Sequence, residues 1–226
     1  MRSVDEIEDE ARDVLLNAFR VRFGDVKVSF EEKLQFLKNA CAQVADLENL
    51  LVLDVPHSHL QSEGYSGGSH DWLGLIDLTS DRILLNADQR ERNQGRYRFT
   101  FAHELGHWFL HRNHSGGLFR EYLSGKKNSV EKEADIFASF FLMPTKLVVQ
   151  AFHLRFGGCD DFGRFMQIPQ IVGGNEGRIY QDLSDERKAL LCAKSTTNKF
   201  DRESLARMFQ VSDTAMARRL FGLGLF

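Results

Sequence analysis

The sequence is poor in the features that mark a chain as something other than an ordinary globular protein. Among its 226 residues are only three Cys, at positions 41, 159 and 192, with no C-x-x-C pair. That odd, scattered set excludes a disulfide scaffold and reads as reduced, buried thiols in a cytoplasmic protein. Three Pro and 18 Gly are too few for a collagen-like or low-complexity chain. No apolar run approaches the ~18 residues that span a bilayer. The longest, Ile136–Met143, is interrupted by Ser139. The first ten residues carry Asp5, Glu6, Glu8, Asp9 and Glu10, the opposite of a secretory leader, so neither export nor a membrane is expected. Charge of one sign is lacking too: 29 Lys+Arg against 32 Asp+Glu gives a net charge of −3. This disfavours a surface that coats nucleic acid. Tyr and Trp are scarce, at four and two, whereas Phe numbers 19. Phe needs no hydrogen-bond partner, so this excess predicts a well-filled core.

Hydrophobic periodicity predicts a succession of helices with a few short strands. Ile7, Ala11, Val14, Leu15, Ala18 and Phe19 recur at helical spacing within residues 5–23, and Gly24 is a natural stop. Ser29 and Glu32 form an S-x-x-E capping box that starts a second helix, running to about Asp46. Leu50–Val55, ended by Pro56, reads as a strand. Leu73–Leu78 and Arg82–Asn86, joined by Thr79-Ser80-Asp81, read as a hairpin. Helical spacing returns from about Arg96 to His111, again from Asn128 or Ser129 to Met143, and over Thr145–Phe156. Further helices are expected at Asp185–Lys194, Asp201–Phe209 and Asp213–Phe221.

Chemistry concentrates in one stretch. His103-Glu104-Leu105-Gly106-His107 is an H-E-x-x-H motif in a helical context. Two His four residues apart share a helix face and can direct ring nitrogens at one Zn²⁺, with the adjacent Glu beside the water it activates. At about 100° per residue, His103, Glu104 and His107 group together and Ala102, Leu105, Gly106 and Phe109 lie opposite. A catalytic zinc takes a third protein ligand. The extended H-E-x-x-H-x-x-G-x-x-H pattern fails, because Leu110 and Asn113 stand where Gly and His are needed. The alternative is a carboxylate from the next helix. Glu131 and Asp135 are four apart and share a face, while Glu133 points away from both. Glu131 is the favoured ligand and Glu133 the competitor. Asp135 is placed to hydrogen-bond the far nitrogen of a ligating His, and small Ala134 and Ala138 would let the two helices come close.

The run RFTFAHELGHWFLH followed by EKEADIFASFFLMP, with the preceding GLIDLTSDRILLNADQRERNQGRYRFT, resembles the ImmA/IrrE zinc metallopeptidases over roughly residues 40–150. The resemblance implies zinc held by His103, His107 and Glu131, Glu104 as general base, and Asp135 at the Asp/Asn position of the second motif. It also implies an α+β fold: a small zincin-like core, helices plus a short antiparallel sheet, with a C-terminal helix-turn-helix-like part. The implied activity is intracellular cleavage of a partner protein, a helix-turn-helix transcriptional repressor, in a stress, mobile-element or phage-defence response. The expected domains are 1–156 (peptidase), 157–199 (an insertion or connector that departs from the family) and 200–226 (helix-turn-helix-like).

Other residues offer secondary readings. Leu205, Ala206, Phe209, Met216 and Leu220 flank the Gln210-Val211-Ser212 turn as core positions of two helices. Arg90, Arg92, Arg96 and Arg98 form a cluster, read first as solvated charge and second as a contact for nucleic acid as an activating signal. His111 lies one turn beyond His107. A regular helix cannot bring His at i, i+4 and i+8 onto one metal, so His111 is expected to line a cleft or face solvent. His57, His59 and His70 share one polar loop. The rival function is a DNA-binding or partner-binding regulator with a structural or vestigial zinc site, against which the intact Glu104 weighs.

Overall fold

The computed structural model describes residues 2–56, 58, 72–113, 118–122, 128–156, 184–194 and 203–225. They divide into two compact units, Met1–Leu142 and Met143–Phe226. The sequence-based boundary at Phe156 lies one helix later than this division. Of the expected connector 157–199, only residues 184–194 are described.

The first unit opens with two antecedent helices, α1 (Val4–Phe23) and α2 (Phe30–Leu47). Each starts with a reciprocal capping box. Ser3 Oγ accepts from Glu6 N while the Glu6 carboxylate accepts from Ser3 N, and Ser29 and Glu32 repeat the arrangement. Each box satisfies amides that the first helical turn leaves without partners. Ile7, Ala11, Val14, Leu15 and Ala18 make the buried stripe of α1, and Leu34, Leu37, Cys41 and Val44 contribute that of α2.

A four-stranded sheet follows, built from β1 (Leu51–Val55), β2 (Trp72–Asp77), β3 (Arg82–Asn86) and β4 (Leu118–Tyr122), in the order β1-β3-β2-β4. The β2–β3 hairpin is antiparallel, as expected, and its turn is closed by Asp77. The Asp77 carboxylate accepts from Thr79 N and Oγ1 and from Ser80 Oγ. The sheet as a whole is not antiparallel. β1 pairs in parallel with β3, register Leu51↔Arg82 to Val55↔Asn86. The reason is topological: β1 lies beside the second strand of the hairpin, which runs in its own direction. β4 completes the opposite edge, antiparallel to β2. Leu75, Ile76, Ile83 and Leu85 are all fully buried, so the central strands are covered on both faces.

Between β3 and β4 lie the short helix α3 (Ala87–Arg92) and the long helix α4 (Gln94–His111); α5 (Ser129–Leu142) closes the unit. α4 carries the H-E-x-x-H motif and packs on β2, β3 and α5. Phe101, Leu105, Trp108 and Leu110 of α4, and Phe137, Phe140 and Phe141 of α5, are buried. The rings of Phe109, Phe137 and Phe141 stack in sequence, with centroids 5.9 and 5.6 Å apart. The Phe excess therefore supplies much of the packing between these two helices.

The second unit contains α6 (Thr145–Phe156), α7 (Asp185–Lys194), α8 (Leu205–Met208) and α9 (Asp213–Gly222). Leu205, Ala206, Phe209, Met216 and Leu220 are buried, as their spacing predicts. The helix expected over 201–209 is a single turn among the described residues, capped by Ser204. Gln210 takes φ +51° to turn the chain into α9, which Ser212 caps. No single helix among the described residues is long and apolar enough to cross a membrane.

Close approach of α4 and α5 depends on Gly106. A Cβ there would sit 3.1 Å from Ala134 Cα, 3.2 Å from Ala134 O and 3.3 Å from Phe137 Cβ. Two of these atoms are backbone, so the helices must separate to admit a methyl. Gly106→Ala should lower unfolding free energy by about 1–2 kcal/mol, overpacking outweighing the gain in helix propensity. Urea unfolding checks this; increased stability would contradict it.

Candidate metal centre

Packing around α4 explains why its polar residues are held so firmly. Trp108 Nε1 donates to Glu48 Oε2 at 3.0 Å, tying α4 to the end of α2, and the Arg112 guanidinium at the end of α4 lies 4.1 Å over the Trp108 ring. The sequence suggests one buried and one open face. In the structure both are covered, and His103, Glu104 and His107 are each 0% exposed.

Three side chains meet there. His103 Nε2 and His107 Nε2 are 3.1 Å apart. Glu131, from the first turn of α5, places Oε2 3.2 Å from His103 Nε2 and Oε1 3.4 Å from His107 Nε2. Their ligand atoms lie within 4.8 Å of one another. Ligands ~2.0–2.2 Å from a tetrahedral zinc are separated by roughly 3.3–3.6 Å. The observed separations come within a few tenths of an ångström of that. Donor type fits equally well, with two imidazoles and one carboxylate leaving a fourth position open.

Protonation states suit a cation. Burial pushes the His107 imidazole down to about 4, so it stays neutral with a lone pair to give. Burial opposes ionisation of Glu131, but His103 and His107 against its oxygens outweigh burial and hold it well below the usual carboxylate range. His103 Nδ1 is 3.0 Å from Asp135 Oδ1, the partner expected for the far nitrogen of a ligand. Glu133, the competing ligand, is instead turned to His111 and Arg2.

Several residues missed by the sequence reading shape the site. Phe119 of β4 stacks on the His107 ring, with centroids 4.3 Å apart and planes 9° from parallel. His111, expected in a cleft or in solvent, is buried and contacts His107 at 3.1 Å between Nδ1 atoms. Its i+4 spacing from His107 was the available signal, but its second partner, on α5, was not visible in sequence. The arginine cluster does not form one patch. Arg98 is buried and donates to Leu37 O, while Arg90 pairs with Asp54 at 2.7 Å. Cys41 and Cys192 are buried thiols, pushed up by burial to about 11 and 12, and so are not nucleophiles. Cys159 and the loop histidines His57, His59 and His70 lie outside the described residues.

Glu104 owes its position to Gly74 of β2. A Cβ on Gly74 would meet Thr100 Cγ2 in hard overlap and Glu104 Oε1 at 3.1 Å. A methyl therefore requires Thr100 to change rotamer or α4 and β2 to move apart, and either shift disturbs the neighbouring Glu104 carboxylate. Gly74→Ala should reduce peptide hydrolysis more than tenfold while zinc content stays near that of the wild type. Equal loss of both would show that Gly74 serves the fold alone.

Comparison with known proteins agrees with this geometry. Residues 53–164, about half the chain, match the model of the IrrE N-terminal-like domain. That segment takes in the sheet except the first two residues of β1, both motif helices and all three clustered side chains. A curated relative, Metallopeptidase ImmA of Bacillus subtilis (strain 168), is 25% identical over 118 residues, covering 47% of this chain and 68% of the relative. No solved structure matches the chain. With both motifs brought to one point inside the matched segment, the chain belongs to the ImmA/IrrE family of metallopeptidases.

Proposed function

We propose that the chain is a zinc-dependent endopeptidase that cuts a partner protein. His103, His107 and Glu131 are the metal ligands in this reading, and Glu104 is the general base. The observation that carries it is the convergence of two imidazole nitrogens and one carboxylate at tetrahedral-zinc spacing, with a buried Glu one residue from the first ligand. A structural site has no use for that Glu.

When bound, zinc supplies the Lewis acidity that makes a water and a scissile carbonyl reactive near neutral pH. The chain's own residues do the rest. Asp135 holds the His103 ring so that Nε2 faces the cluster. The Glu104 carboxylate takes a proton from the attacking water and returns it to the departing amine. Low exposure strengthens each electrostatic contact and keeps bulk water out. Among the described residues β4 pairs only with β2, leaving its outer edge beside His107 for an extended peptide to add as a strand. That favours a polypeptide over a small molecule.

The substrate proposed is a helix-turn-helix transcriptional repressor, whose removal would release a stress, mobile-element or phage-defence response. Family membership supports this choice. A nucleic-acid signal acting at the arginine cluster is a weaker reading, because Arg90 and Arg98 are already engaged within the chain. The same holds for DNA binding by α9, where Arg219 donates to Met143 O and Thr145 Oγ1.

The product of the adjacent gene, incubated with the zinc-loaded chain and mapped by mass spectrometry, should yield one discrete cut. Glu104→Gln should keep zinc and lose roughly 10²–10⁴-fold in cleavage rate. His103→Ala should lose zinc by emission spectroscopy. Cleavage by Glu104→Gln at the wild-type rate would overturn the mechanism; full zinc content in His103→Ala would overturn the ligand set.

A further inference from the structure

His103 and His107 are supported differently. The far nitrogen of His103 meets a carboxylate directly. That of His107 meets a second imidazole. His107 Nδ1 lies 3.1 Å from His111 Nδ1, and His111 Nε2 lies 3.2 Å from Glu133 Oε2. The other Glu133 oxygen accepts from Arg2 N at 2.9 Å, and Arg2 Nη1 stands 3.6 Å from Oε2. His111 and Glu133 are 2% and 5% exposed. Phe119 lies across both rings, stacked on His107 and tilted to His111 at 5.8 Å.

Proton arithmetic along this row has one solution. If His107 gives its Nε2 lone pair to a metal, its only N–H is at Nδ1. His111 Nδ1 must then accept, so the His111 proton sits on Nε2 and points at Glu133. A carboxylate only accepts, which closes the series. The reverse tautomer of His111 would aim an N–H at His107 Nδ1. His107 would then have to carry its proton on Nε2, the nitrogen that faces His103 and Glu131.

We propose that His111 and Glu133, anchored by Arg2, are positioning residues that set the tautomer of His107 through two imidazoles in series, and so govern how tightly the metal is held. The proposal rests on the metallopeptidase reading and adds to it a support for the second ligand that neither motif announces. Glu133, two residues from Glu131 along α5, thereby bears on His107 through His111.

Glu133→Gln is a sharp test because Arg2 N still demands an oxygen. The amide must offer its oxygen to Arg2 and its NH₂ to His111, which forces the wrong tautomer. Zinc affinity by chelator competition should fall ~10–100-fold, the usual range for loss of an outer support. The visible absorption of the cobalt-substituted protein should change as well. His111→Leu should do the same. His111→Gln, whose amide can accept from His107 and donate to Glu133, should keep most of the affinity that His111→Leu loses. Thermal melting of the metal-free variants reports on fold separately, and the His111 pair decides the matter if Glu133→Gln does not fold. Wild-type affinity and spectrum in both Glu133→Gln and His111→Leu would overturn the proposal and leave the peptidase reading standing. A wild-type chain that binds neither zinc nor cobalt would overturn both.

Discussion

The close contact of α4 with α5 is the constraint on which the rest depends. The proposed ligands, the proposed base and the groups that meet the far nitrogens of the histidines sit on these two helices: His103, Glu104, His107 and His111 on α4, and Glu131, Glu133 and Asp135 on α5. Gly106 lets α4 reach the backbone of Ala134, and one methyl more would separate the ligand sets. Hydrophobic packing therefore does more than stabilise the unit. It sets the 3.1–3.4 Å spacings among ligand atoms, and metal affinity depends on distances of that order.

Burying so many polar groups is costly unless each has a partner. The structure meets the cost by rows of contacts rather than single bonds. Asp135 serves His103, and Glu133 serves His107 through His111. Glu131 lies between the two rings with its carboxylate held ionised. Two carboxylates thus stand behind the two imidazoles, and a third faces them, an arrangement suited to a divalent cation. Gly74, lacking a side chain, lets the strand β2 lie against Thr100 and Glu104, so the sheet walls the site on the Glu104 side.

Local signals in the sequence were sufficient for most elements and for the cluster itself. The capping box at Ser29, the hairpin over 72–86 and the helices bearing both motifs follow from spacing. Glu131, which shares a helix face with Asp135, is also the acid that meets the two histidines, while Glu133 meets His111. The failures are non-local. Parallel pairing of β1 with β3 joins segments some thirty residues apart, and β4 follows Gly116-Gly117 with only five residues and no alternation strong enough to reveal it. The short helix α3 was hidden in a charged stretch, and Arg98 looked like surface until its guanidinium met Leu37 O. His111, expected off the metal, lies outside the group formed by His103, His107 and Glu131, yet it is buried, and its partner Glu133 stands on a different helix. Single-sequence reasoning captures what one helix or turn dictates, and it loses what two elements decide together.

The claim at the centre is that His103, His107 and Glu131 are the three protein ligands of one zinc. Crystals of the zinc-loaded chain, measured at the zinc absorption edge, address it directly. The expected result is a single anomalous peak, ~2.0–2.2 Å from His103 Nε2, His107 Nε2 and one Glu131 oxygen. A peak coordinated by Glu133 or His111, or no peak between the two helices, would contradict it.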